Sequence, residues 1–440
     1  LIEFAIVNNE AVLMACKVKK SEALMIPDEY KNLKVVKISP RAFENCSELK
    51  EVELPEFLKE IGDWAFAGCT KLRKVTFKGH IGKIGANAFY GCEALEEIHL
   101  PSTIKIIEKA AFSRCISLKK VTLPDQLERL GWYVFSGCTQ LEEVVMNQGI
   151  KHLGGGAFKG CMGMKEVDIP KSLTDIGPHA FEGCNDLERI KVSAHNTSFS
   201  DLNGILFDKN KKVLKTFPPG ISGGYTVPDG VEAIKDESFW GCEKLTGLKL
   251  GNDVKKMGHH ALNGCKLVEI DLPCSLTQVG EWAFGDCPRL EKITIEGDCI
   301  QDPKVLKELK KVLSGKMILN FSGGNNVFQY LFDEEQRLNL TMGYCSGKQD
   351  VKNFAKITYD NYAKEHFDEI FNLVVKDDSV EGTAYFGGND FYSRDISEMI
   401  ERANKRGAVN VLMYLMEYKN KNFGLDDILN KLDEEWDLDF

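Results

Sequence analysis

The sequence predicts an α/β repeat fold: a leucine-rich-repeat solenoid with a parallel β-sheet over residues 1–297, followed by an α-helical C-terminal domain over 298–440. Three observations carry this expectation. Cysteines recur at Cys46, Cys69, Cys92, Cys115, Cys138, Cys161 and Cys184, each 23 positions after the last, and resume at Cys242, Cys265 and Cys287 with a final step of 22. A fixed period of roughly 20–29 residues marks a solenoid whose turns bury their apolar faces only against each other. Within each cycle L-x-x-V-x-L alternates apolar and polar residues, the period of a strand with one buried face. After about Gly297 the repeat stops and helical spacing begins.

Taken in order, the chain opens on FAIVNNEAVLMACKV at 4–18, followed by LMIPDEY. Two apolar runs about a polar turn predict a β-hairpin, placed to cover the open N-terminal end of the stack. Each cycle then reads approximately I-G-x-x-A-F-x-G-C-x-x-L-x-x-V-x-L-P, as from Ile61 through Cys69 and Leu72 to Val75 and Phe77. Leu49, Val52 and Leu54 are expected to point inward and Glu51 and Glu53 outward, with the pairs Ala65–Phe66 and Ala88–Phe89 filling the far side. Between Cys184 and Cys242 the cycle is interrupted by FSDLNGILFDKNKKVLKTFPPG at 199–220, where GILF and KVLKTF flank the polar turn DKNK. This is a second hairpin module, and the repeat restarts at YTVPDGVEAI. Local departures are LGGGAF at 153–158, MGHHAL at 257–262 and the short turn after Cys265.

The repeated cysteines admit three readings. As disulfides they fail on direction, because neighbouring strands about 4.8 Å apart carry parallel Cβ vectors where a bridge needs convergent ones. As a zinc site they fail on spacing, with one cysteine per turn and no C-x-x-C. As a buried ladder of small apolar side chains they fit, and many unpaired thiols suit a reducing compartment.

Beyond the repeat, DPKVLKELKKVLS at 302–314 sets Val305, Leu309 and Val312 on one helical face after Asp302 and Pro303. Leu425, Ile428, Leu429, Leu432 and Trp436 form another stripe after Gly424. Residues 363–375 and 403–417 are expected as paired antiparallel helices, serving as a C-terminal cap or as a second binding module.

Chemistry is sparse. The formal net charge of -10 argues against a nucleic-acid or membrane-surface binder, and no run approaches the roughly 20 apolar residues of a spanning helix. The start LIEFAIVNNE lacks a secretory pattern, so the location expected is cytoplasmic, with secretion or the cell surface as the alternative if a leader precedes Leu1. His259 and His260 fill variable motif positions and are read as surface residues; Gly154, Gly155 and Gly156 lack the G-K-[ST] of a phosphate loop. No catalytic residue, metal ligand or cofactor site is assigned.

The motif IGxxAFxGCxxLxxVxLP, met about ten times, resembles that of BspA-like, Treponema pallidum type leucine-rich repeat proteins, as does the pairing of hairpin and turn. The resemblance implies protein–protein interaction, and for secreted members adhesion to host or matrix protein. Residues 403–417, ANKRGAVNVLMYLME, resemble the helix-turn-helix half of an ankyrin repeat at Ala403, Gly407, Val411, Leu412, Leu415 and Met416, though SEMI stands where T-P-L-H is expected. The stretch 363–375 is a weaker copy.

The expected function is a non-catalytic protein-binding scaffold; a surface adhesin, or a regulatory or catalytic helical domain carried on the repeat, are the alternatives. Candidate binding residues fall in two sets. Outward strand positions give Glu51, Glu53, Lys74, Glu97, His99, Lys120, Glu166, Asp168, Arg189 and Lys191, whose alternating signs also fit simple cross-strand pairing. Trp64, Trp132, Tyr133 and Trp282 at the variable x-x positions, with Trp240 after an A-F type pair, are candidate anchors, or pack against the next turn.

Overall fold

A computed structural model describes residues 2–16, 21–290, 292–295, 307, 328, 332–348, 353–389 and 396–423. The chain divides into two compact units, Leu1–Leu267 with Val279–Arg289, and Val268–Gln278 with Leu290–Phe440. The repeats form a parallel β-solenoid of about 12 turns.

Each regular turn of the first unit contributes to three stacked ladders. The L-x-x-V-x-L segments form the expected long strands, among them Glu51–Leu54, Lys74–Phe77, Lys120–Thr122, Glu143–Val145, Glu166–Ile169 and Arg189–Val192. Their register sets equivalent residues side by side, as with Glu51 and Lys74 or Val52 and Val75. A second ladder was not expected. Two-residue strands just before each I-G step, including Glu60–Ile61, Lys83–Ile84, Ile106–Ile107 and Arg129–Leu130, pair in parallel. The third ladder runs through the A-F segment, where the Phe43 amide donates to Ala65 at 2.7 Å, Phe66 to Ala88 at 2.7 Å and Phe89 to Ala111 at 2.8 Å.

Two left-handed residues per turn shape that third side. The second variable position has φ near +55° to +60° whatever its side chain, as at Trp64 (59°), Asn87 (55°), Ala110 (55°) and Tyr133 (56°). The residue before each cysteine is the other, glycine in most turns, as at Gly68 (71°) and Gly137 (75°), and Asn45 (58°), Arg114 (61°) or Asp286 (47°) elsewhere. Two left-handed residues so close together exclude a helix, so the far side is built of tight turns. Along it Phe43, Phe66, Phe89, Phe112, Phe135, Phe158 and Phe181 stack with centroids 4.7–5.9 Å apart and planes within 8°.

Both hairpin modules are present. Ile2–Val7 and Glu10–Cys16 are antiparallel about Asn8–Asn9, and the second strand joins Leu33–Ile38 in parallel, so the hairpin occupies the N-terminal edge of the short-strand ladder. The mid-chain module has three strands. Ile205–Asp208 pairs antiparallel with Val213–Thr216, as expected, and also with Phe199–Leu202 across Asn203–Gly204. That N-G turn has positive φ at both residues (53° and 82°), the backbone of a tight hairpin turn.

In the second unit, Glu269–Leu272 and Lys292–Ile295 pair in parallel. Six helices are described: α1 Glu334–Cys345, α2 Asn353–Glu365, α3 Phe367–Lys376, α4 Val380–Gly388, α5 Ile396–Arg406 and α6 Val409–Phe423. Asp333 and Gln336 form a capping box on α1. Gly407 (φ 67°) ends α5 and turns the chain into α6, so 396–423 is a helical hairpin with Ala403, Val411 and Leu415 buried; Met416 is exposed. The α3–α4 pair repeats it, Phe367 to Ile396 and Val380 to Val409 both being steps of 29 residues. Asp378, between α3 and α4, accepts from the Val411 amide at 3.0 Å and the Asn410 side chain at 2.8 Å, capping α6. The stripes expected over 302–314 and 425–436, and Gly424, lie outside the described helices.

Candidate binding surfaces

The outward strand residues stand as expected on one face: Glu51, Lys74, Glu97, His99, Lys120, Glu166, Asp168, Arg189 and Lys191 are exposed and Glu53 half-buried. Parallel register sets unlike charges beside each other, and several close as ion pairs: Lys78–Glu53 at 2.6 Å, Lys120–Glu143 at 2.8 Å and Lys191–Glu166 at 2.7 Å. Hydrogen bonding to Lys191 lowers the Glu166 pKa, and the same bond raises that of Lys191. Being exposed, such pairs add little stability.

The aromatic set lies on the turn side, a different surface from the charged row. Trp64 tilts against Tyr90 at 5.7 Å, with the Arg41 guanidinium 5.5 Å over its ring. Trp132 and Tyr133 lie over Gly155 and Gly156 of the next turn. A Cβ on Gly155 would stand 2.8 Å from Trp132 Cζ3, and one on Gly156 2.3 Å from Tyr133 Cδ1. Gly155 and Gly156 are therefore the socket for these rings, and packing on the next turn is the role the structure gives them. Trp132 still exposes 53% of its surface and Trp282 58%. Trp240 belongs to a third environment, edge-on to His179 at 5.0 Å and near His260 at 5.5 Å. Trp64, Trp132 and Trp282 are spread along the stack and make no single patch.

The variable positions are less free than their sequence suggests. Asp63 Oδ1 accepts from the Ala86 amide at 2.8 Å, Asp236 from His259 at 2.8 Å, and His259 Nδ1 from Glu281 at 3.0 Å. Expected as tolerant surface positions, they tie one turn to the next.

The cysteines are buried in a ladder, but they do more than fill space. From Cys69 to Cys265 each thiol donates to the phenylalanine carbonyl of the preceding turn, as Cys69 to Phe43 at 3.2 Å, Cys92 to Phe66 at 3.3 Å and Cys138 to Phe112 at 3.2 Å, while Cys287 donates to the Leu262 carbonyl at 3.2 Å. Burial pushes Cys69, Cys138 and Cys184 up to about 12, which removes the thiolate needed for reactivity. Cys274, outside this series, is disulfide-bonded.

One cluster was not legible in the sequence. Where the mid-chain module interrupts the repeat, a cavity of about 140 Å³ is lined by His179, Glu182, Lys215, Glu237 and Trp240 among others. His179 Nε2 lies 3.1 Å from Glu237 across the interruption. Its Nδ1 lies 3.0 Å from Glu182 Oε2, both atoms fully buried and without hydrogen-bond geometry between them. The residues come from turns 58 positions apart, so no local spacing marks them.

A family model described as BspA type leucine rich repeat region matches six copies, over residues 19–115, 82–210 and 224–304. Among solved structures, a leucine rich cell surface protein of Faecalibacterium prausnitzii A2-165 is similar at 25% identity and TM-score 0.59, over 75% of this chain and 95% of that one. A leucine-rich repeat protein of Bacteroides ovatus (21%, TM-score 0.51, 80% and 97%) and the pneumococcal vaccine antigen PcpA (18%, TM-score 0.52, 75% and 93%) share the fold. No curated protein matches. With stacked turns, cysteine ladder and phenylalanine row all following the repeat that the family model describes over more than half its length, the chain belongs to the BspA type leucine-rich repeat family.

Proposed function

We propose that the protein is a non-catalytic scaffold that binds another protein through the outward residues of its long-strand face, with residues 1–297 as solenoid and 298–440 as an accessory helical domain. The observation that carries this reading is the row of exposed charged side chains, Glu51 to Lys191, held in fixed register by a stack whose own stability does not need them. Rigid presentation lowers the ordering cost of binding. A cell-surface location is favoured over the cytoplasm. The free thiols that suggested a reducing compartment are buried and protonated, so they discriminate little, whereas the disulfide at Cys274 suits an oxidising one. The similar Faecalibacterium chain is a cell surface protein, and no described helix is long and apolar enough to cross a membrane. Cross-linking on intact source cells tests both points. A partner retained by the native chain and lost when Glu51, Glu97 and Glu166 are changed together to Lys supports the reading; retention by that variant, or turnover in a broad hydrolase and transferase screen, refutes it.

A further inference from the structure

We infer that a break in the long-strand face, between Glu143–Val145 and Glu166–Ile169, is a docking groove for an extended, lysine- or arginine-rich peptide segment of a partner protein. This rests on the strand-face reading and names its ligand. Long strands pair from Glu97–Ile98 through Lys120–Thr122 to Glu143–Val145, and Glu166–Ile169 pairs with Arg189–Val192, but no ladder joins the two groups. A groove of about 670 Å³ lies at that break, lined by both strands and by Lys191, Val192 and Ser193.

Its chemistry differs from the rest of the face. Val145 is 39% exposed, the one apolar side chain among outward strand positions that are otherwise charged, threonine or histidine from Glu51 to Lys191. The walls carry Glu142, Glu143, Glu166 and Asp168 against a single lining cation, Lys191. Glu143 is engaged by Lys120 and Glu166 by Lys191, while Glu142 and Asp168 make no ion pair among the described residues. A segment crossing here meets two strands that do not bond to each other, an apolar contact at Val145, the Glu142 carboxylate and that of Asp168, which shares the charge of Lys191 opposite it in the ladder. A groove running across successive strands admits an extended backbone, and the carboxylates select basic side chains.

The test is fluorescence anisotropy of the full chain with a labelled decapeptide of alternating lysine and valine, and with its glutamate–valine counterpart. The lysine peptide is expected to bind and the glutamate peptide not, with affinity falling as salt is raised. A D168N/E142Q double variant should weaken binding by about fivefold, the scale of exposed charge pairs, and Val145→Lys by more. Amide hydrogen exchange at Glu166–Asp168 should be fast in the free chain and slowed by peptide. Absence of lysine-peptide binding, equal binding of both peptides, or binding indifferent to Val145→Lys and to D168N/E142Q overturns the groove. If the native partner is nonetheless lost from the Glu51/Glu97/Glu166 variant, the broader strand-face reading stands and only the groove fails.

Discussion

A single cysteine shows how the repeat uses its letters twice. The Cys138 thiol fills a slot beside Phe112 and donates to its carbonyl, joining the amide of Cys115 on that oxygen. Cys138→Ala should therefore cost about 1 kcal/mol from the lost bond plus a small packing loss, read as a lower denaturant midpoint. Free thiols of the ladder should be inert to a disulfide reagent at pH 8 in the native chain and react once urea unfolds it; fast native labelling would contradict their burial. Glycines divide in the same way. A Cβ on Gly154 would meet the Gly131 carbonyl at 2.4 Å and the Trp132 amide nitrogen at 2.6 Å, so Gly154→Ala forces two turns apart and should cost about 1–3 kcal/mol. Gly91 has open space around it but φ of 69°, so Gly91→Ala carries only left-handed strain, about 1–2 kcal/mol. Urea unfolding of both variants gives the comparison.

At the scale of the element, the phenylalanine row and the three ladders act together. Phe112 is fully buried between Phe89 and Phe135, at 5.2 and 5.5 Å. Phe112→Ala should cost about 3–5 kcal/mol, and because each turn is held only by its neighbours, amide exchange should rise first in the turns of Phe89 and Phe135. Uniform loss of protection along the solenoid would mean that the row is not the local unit of stability. The long strands and this row were legible because alternation and a fixed period announce them. The short strands were not, since two residues such as Glu60–Ile61 show no alternation. The left-handed variable position was hidden too: Trp64, Asn87, Ala110 and Tyr133 share a backbone angle and no chemistry. That is why positions that look unconstrained turned out to hold Asp63 and Asp236 in hydrogen bonds between turns. The charged row was legible residue by residue, because strand alternation fixes which side chains point out. The break beneath it was not, since the spacing is 23 residues on both sides.

Over the whole solenoid, the thiol ladder makes stability a function of alkalinity. Burial raises Cys69, Cys138 and Cys184 from 9.0 to about 12, and Cys92, Cys115 and Cys161 also well above 9.0. Below about pH 8 these thiols are protonated in folded and unfolded chains alike and contribute no pH dependence. Between pH 9 and about 12 the unfolded chain releases protons that the folded chain retains, so the unfolded state binds fewer protons and stability falls with rising pH. Six thiols act in the same direction within one block of turns, so the melting temperature should be flat from pH 7 to about 8, begin to fall by pH 9 and then drop steeply. Lysines and tyrosines titrate in the same window, and a triple variant with Cys69, Cys138 and Cys184 changed to Ala separates the contributions. It should melt lower than the native chain at pH 7, for want of three hydrogen bonds, yet lose less between pH 9 and 11. Parallel melting curves for the two proteins over that range would show that the ladder is not the origin of the alkaline transition.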